Sequence, residues 1–104
     1  MIESTIPDIP GREITQILGV VRGNSVRARH VGRDIIASVR NLIGGEISEY
    51  AKLQAETREL ANRRMMGQAQ SLGADAVVNI RYTTSMIAAG ASEILAYGTA
   101  VKLS

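Results

Sequence analysis

Residues 73–103 read GADAVVNIRYTTSMIAAGASEILAYGTAVKL, and this stretch decides the fold. After Gly73-Ala74-Asp75, a period-two repeat puts Val78, Ile80, Tyr82, Thr84 and Met86 on one side. Val77, Asn79, Arg81, Thr83 and Ser85 fall on the other. Ala88 to Ala91, with Gly90, makes a turn, and residues 93–103 alternate again. Leu95, Tyr97, Thr99, Val101 and Leu103 share one face, and Ile94, Ala96, Gly98 and Ala100 share the other. Two such runs joined by a short Gly-containing link predict an antiparallel hairpin.

Immediately upstream, residues 46–72 predict a long helix that Gly73 stops. At 1.5 Å per residue it approaches ~40 Å, so it overhangs a core whose radius of gyration should be ~13 Å. Before it, Ile35, Ile36, Val39, Leu42 and Ile43 form one helical stripe within Val31–Ile43, closed by Gly44-Gly45. Glu13–Val21 reads as a strand with apolar residues on both sides. Gly23-Asn24 predicts a bulge or turn, and Ser25–Ala28 continues the strand. Ile2–Ile6 predicts a short edge strand, stopped by Pro7-Asp8-Ile9-Pro10-Gly11. The order β-(short α)-α-β-β predicts one α+β domain over residues 1–104, an antiparallel sheet with helix on one face.

The 104 residues are 45% hydrophobic and 21% charged, which excludes a disordered tail. There is no Cys, which excludes a disulfide scaffold, a Cys zinc cluster and a thiol nucleophile. With no Trp or Phe and only three Tyr, the chain lacks the aromatic interleaving of a single-strand nucleic-acid platform. No secretory leader and no apolar run near ~18 residues is present, so a cytoplasmic location and no membrane partner are expected.

The chemical candidates are few. His30 is the one histidine; with Asp34 four residues on it could share a helix face as a ligand pair, and a solvated helix start is the plainer reading. Glu46 and Glu49 could hold a hard cation, but two carboxylates at a helix start also complement its dipole. Met65, Met66 and Met86 are soft donors in principle and core filler by habit. No nucleotide loop, zinc motif or Ser-His-Asp set occurs, so an enzyme is disfavoured. Arg22, Arg27, Arg29, Arg33 and Arg40 form a basic cluster that could hold phosphate, against the plainer reading of a solvated surface. Specific nucleic-acid binding is not expected from it.

Gly44-Gly45-Glu46, Tyr50, Leu53, Arg58, Ala61, Met65, Leu72-Gly73-Ala74, Ala76-Val77-Val78 and Tyr97-Gly98-Thr99-Ala100-Val101 form a recognisable series. With Arg33-Asp34-Ile35 and Leu18-Gly19, the series resembles the YbjQ-like family of uncharacterised proteins. The resemblance implies a dodecin-like β-α-β-β subunit assembled as a ring-like homopentamer. It also brings a heavy-metal-binding label without a defined ligand set or cofactor, and a divalent metal finds little support in a chain with no Cys and one His.

The expected function is therefore a non-enzymatic homo-oligomeric module of unknown role that takes a small ligand or ion between subunits. Heavy-metal binding or sequestration is the alternative, and an enzyme with a subunit-interface site the third reading. The small residues Ala96, Gly98 and Ala100 are expected to let a neighbouring subunit approach the sheet.

Overall fold

The structure is a computed structural model that describes residues 1–28, 47–88 and 91–104, with side chains at 1–26, 54–88 and 91–104. The predicted helix over Val31–Ile43 and the hairpin link at 89–90 lie outside the described residues. Five elements follow in order: β1 (Ile2–Glu3), β2 (Ile14–Ala28), α1 (Ile47–Ser71), β3 (Ala76–Ala88) and β4 (Ala91–Leu103). One sheet holds the strands in the order β1-β3-β4-β2. The hairpin β3–β4 is antiparallel, as its alternation predicts, and β2 pairs antiparallel with the other side of β4. The sheet is mixed rather than wholly antiparallel, because β1 runs parallel to β3. Ser4 N donates to Val77 O (2.9 Å), and Ile80 N donates to Ser4 O (3.0 Å), which carries this pairing past β1.

The long helix ends where the sequence places its stop. Gly73, at φ 75°, follows it. Ala74 N donates to Ala69 O (3.2 Å) and Gly73 N to Gln70 O (3.0 Å), the paired bonds of a Schellman cap. No basic residue sits in the last turn of α1, so no cationic side chain of the helix itself complements the dipole there.

Two apolar clusters sandwich the sheet. On the helix side Ala61, Met65 and Ala69 of α1 meet Val21 of β2, Val77 and Ile80 of β3, and Ile94, Ala96 and Ala100 of β4. On the far side Ala76, Val78, Val101 and Leu103 are covered by Ile9 and Ile14. Val78 and Ile80 therefore lie on opposite faces, contrary to the period-two reading. The cause is a bulge: Val78 pairs with Thr99 and Arg81 with Tyr97, so Asn79 and Ile80 together oppose Gly98. Asn79 takes φ 54°, the left-handed region that Asn tolerates better than most residues. Beyond the bulge the parity of β3 is inverted.

The same device explains the two-sided reading of β2. Ile17 pairs with Val101 and Gly19 with Ala100, which turns Leu18 toward the helix and leaves Ile17 71% exposed. Gly23 is neither bulge nor turn, since Arg22, Gly23, Asn24 and Ser25 pair without interruption with Tyr97, Ala96, Leu95 and Ile94. Its meaning is a close approach: a Cβ there would collide with Ala61 O and Met65 N in the backbone of α1. Only a residue without a side chain lets the helix lie directly on the strand.

Candidate functional site

Helix α1 rests on β2 and β4 and scarcely touches β3. It also reaches over the outer edge of β2. Gln68 Oε1 accepts from Arg22 N (2.7 Å), and Arg64 Nη1 donates to Asn24 O (2.7 Å). These side chains occupy edge groups that would otherwise offer themselves to another strand.

The opposite edge is different. The N-terminal segment pairs with β3 only as far as Ile80. From Arg81 to Ala88 every residue of β3 is exposed, and among the described residues no strand lies outside it. Met86 is 80% exposed and Ile87 55%. Tyr82 sits at the start of this edge, where its hydroxyl donates to Asn62 Oδ1 (3.1 Å) while Asn62 Nδ2 donates to Glu3 Oε1 (2.8 Å). Partial burial, with the negative charges of Glu3 and Glu59 nearby, pushes the Tyr82 phenol above its ordinary range. The relay ties α1 to β3 and β1 at one point, and past it the edge has no strand partner among the described residues.

At the other end of the sheet Asp75 is a fastening. Its Oδ2 accepts from Leu103 N (2.9 Å), and its own N–H donates to Val101 O (2.9 Å). The bond from the Leu103 amide holds the carboxyl below its usual range, helped by the charges of Lys102 and Arg12.

On the face away from the helix, one row runs straight across three strands. Arg22 of β2 pairs with Tyr97 of β4, which pairs in turn with Arg81 of β3. Arg81 Nη1 donates to Thr5 O (2.8 Å) and Ile80 O (2.9 Å), and neither guanidinium has a carboxylate partner among the described residues. Of the five arginines in the predicted basic cluster, Arg22 alone has a described side chain. Arg27 is described in backbone only, and Arg29, Arg33 and Arg40 lie outside the described residues. Arg81 was missed because it is 59 positions from Arg22 and joins it only through register. The signal that could have found it is a pair of basic residues on strands flanking a common neighbour.

His30, Asp34 and Glu46 also lie outside the described residues, and Glu49 is described in backbone only. Among the described residues no group of three or more His, Cys, Asp or Glu comes together. Ala96 and Ala100 are fully buried, in the same cluster as Ala61 and Met65. Gly98 is buried too, and an added Cβ would lie 2.7 Å from Val77 Cγ1 and 3.0 Å from Val78 O. The small residues thus admit the chain's own helix and the crowded bulge of β3, where a neighbouring subunit was expected. Among the described residues no helix is long and apolar enough to cross a membrane.

Comparison with known proteins agrees with this architecture. A UPF0145 protein of Methanosarcina acetivorans is 53% identical over 103 residues, covering 99% of this chain and 97% of that one. One from Photobacterium profundum is 59% identical over 103 residues, covering 99% of this chain and all of the relative. A crystal structure of a protein of unknown function from Pediococcus pentosaceus, of the DUF74 family, superposes with a TM-score of 0.69 at 17% identity, covering 100% of this chain and 98% of that one. That likeness establishes the fold. The whole of residues 1–104 matches the family described as "Putative heavy-metal-binding". On that match and on the extent of its relatives, the chain belongs to the YbjQ family.

Proposed function

We propose that this chain is a non-enzymatic module that acts in the cytoplasm as a homo-oligomer, with five subunits on the family resemblance, and takes a small ligand or ion between subunits. The observation that carries the assembly is the edge of β3 that no strand pairs with among the described residues, where residues 82–88 present Tyr82, Met86 and Ile87 to solvent. An exposed strand edge with apolar side chains is a template for another chain. The shape supports the same reading. The Cα radius of gyration is 17.2 Å, against ~13 Å for a compact chain of this length.

Light scattering coupled to size exclusion tests the reading. The wild-type protein should elute as a multimer at micromolar concentration. The double substitution Met86→Lys, Ile87→Lys alters only exposed positions and should release folded monomer. A wild-type protein of monomeric mass would refute the proposal.

The family description favours a second reading, heavy-metal binding. The composition gives it few donors, with no Cys and one His, and the candidates His30, Asp34 and Glu46 lie outside the described residues. Titration calorimetry with Zn²⁺, Cu²⁺ and Ni²⁺ decides. Stoichiometric binding at micromolar affinity or tighter would replace the first reading with the second.

A further inference from the structure

Apart from Leu72 at the end of α1, the exposed large apolar side chains fall into separate groups. Met1, Ile2 and Ile6 belong to the N-terminal segment, and Tyr82, Met86 and Ile87 to the margin of β3. The largest group lies on the sheet face away from the helix. Ile17 is 71% exposed there, Val20 60%, Val26 47% and Tyr97 38%. Register makes them neighbours: Val20 pairs with Thr99, next along the face from Tyr97, and half-buried Leu95 lies between Tyr97 and the pair of Val26 with Glu93. Toward the Asp75 end the same face is covered by Ile9 and Ile14. Beyond them it is left to solvent.

The four side chains leave ~300 Å² of apolar surface in water, a size at which a patch on a single subunit is often functional. A standard interface takes ~800 Å² from each partner, a little over half of it apolar. The face therefore holds most of the apolar part of one such interface. Arg22 and Tyr97, paired across β2 and β4, are residue types enriched there. The margin of β3 is the surface that complements it. Residues 82–88 carry no charge, so laying them on an apolar face buries none, whereas Glu3 and Asp8 stand among the apolar residues of the N-terminal segment. Ile80 N points outward to Ser4 O (3.0 Å), so the period of two turns the N–H and C=O groups of Tyr82, Thr84 and Met86 the same way. The face has partners for them. The Arg22 guanidinium meets no carboxylate among the described residues and can donate to carbonyls, and the Asn24 amide can serve either group.

We propose that the sheet face around Val20 and Tyr97 receives the β3 margin of a second copy of this chain, with Met86 and Ile87 set on its apolar side chains. The inference rests on the proposed assembly through β3 and names the other half of that joint. The two surfaces differ, so each copy uses both, one toward each neighbour.

Sedimentation velocity on the full chain tests it, with circular dichroism confirming that each variant folds. The wild type should be a multimer. Val20→Glu, which places a carboxylate on the face, and the double variant Met86→Lys, Ile87→Lys, which charges the margin, should each be monomeric. Val26→Glu repeats the face test at a second exposed position. An equimolar mixture of Val20→Glu with the margin variant should form a one-to-one dimer and nothing larger, because one intact margin is left to meet one intact face. A monomeric wild type would overturn the assembly itself, and this joint with it. A multimeric wild type whose mass survives both Val20→Glu and Val26→Glu would overturn the face alone. A Val20→Glu protein that pairs with itself, or a mixture that stays monomeric, would overturn the union of unlike surfaces.

Discussion

The contact at Gly23 yields the sharpest test of the fold. A methyl group placed there would overlap Ala61 O and Met65 N and stand 2.8 Å from Arg64 C. All three are backbone atoms of α1, so no rotamer change can relieve Gly23→Ala. The helix must lift by ~1 Å, a gap that forfeits a quarter to a half of each dispersion contact it opens. Met65 is fully buried at this point; a side chain of its size makes some 40 contacts of ~0.1 kcal/mol, so its share of the loss is ~1 kcal/mol. Val21, Ala61 and Ala69 are equally buried and lose contacts with it. The sum is ~3 kcal/mol, the upper end of what overpacking costs. For a domain of this size that is a fall in Tm of roughly 12–24 °C. Urea and thermal melts followed by circular dichroism, at fixed protomer concentration, measure it. Gly67 provides the control, since it is exposed within α1 and an added Cβ meets nothing within 4 Å. Gly67→Ala should stabilise by ~0.5–1 kcal/mol through helix propensity and chain entropy. A Gly23→Ala protein within ~0.5 kcal/mol of wild type would refute the close-approach account.

Gly98→Ala should cost ~1–3 kcal/mol in urea unfolding, because its Cβ meets Val77 Cγ1 at 2.7 Å and the Val78 carbonyl at 3.0 Å. Asn79→Val should cost ~1–2 kcal/mol, since a β-branched residue resists φ 54°, whereas Asn79→Gly should be nearly neutral; equal effects would discount the bulge. The depressed carboxyl of Asp75 contributes stability that is complete above its ordinary value of 3.8 and is lost as pH falls through the lower folded value. Asp75→Asn should therefore flatten the acid limb of the stability curve below about pH 4, and an unchanged limb would remove Asp75 as its source.

Elements whose signal is local were legible in the sequence. The alternation of Leu95, Tyr97, Thr99 and Val101 against Ala96, Gly98 and Ala100 survives intact because β4 pairs on both sides without an inserted residue of its own. The end of α1 was legible because a C-cap glycine acts on its own helix. Signals that depend on distant partners were not. Asn79 inverts the parity of β3 through its pairing with β4, and nothing in the local run of Val77, Val78 and Ile80 announces that. Gly23 resembles punctuation until α1, some forty residues later, is laid across it. The small face of β4 reads as a place for close packing, but periodicity cannot say whether the visitor is a neighbour, as expected, or the chain's own helix, which packs on Ala96 and Ala100. Arg81 became a candidate only through register.

The contrast between the two margins of the sheet limits how copies can join. Gln68 and Arg64 occupy two edge groups of β2, at Arg22 and Asn24, whereas among the described residues no strand lies outside β3 past Ile80, so strand addition is easier along β3. Two copies meeting β3 to β3 would satisfy each other and stop at a pair, because a self-complementary contact closes under two-fold symmetry. A ring of five needs a head-to-tail joint, in which the free margin of one copy meets a different surface of the next. The helix side chains at Arg22 and Asn24 interrupt the β2 margin that an endless ribbon of sheet would use, and a closed ring built through β3 would recruit a second kind of contact.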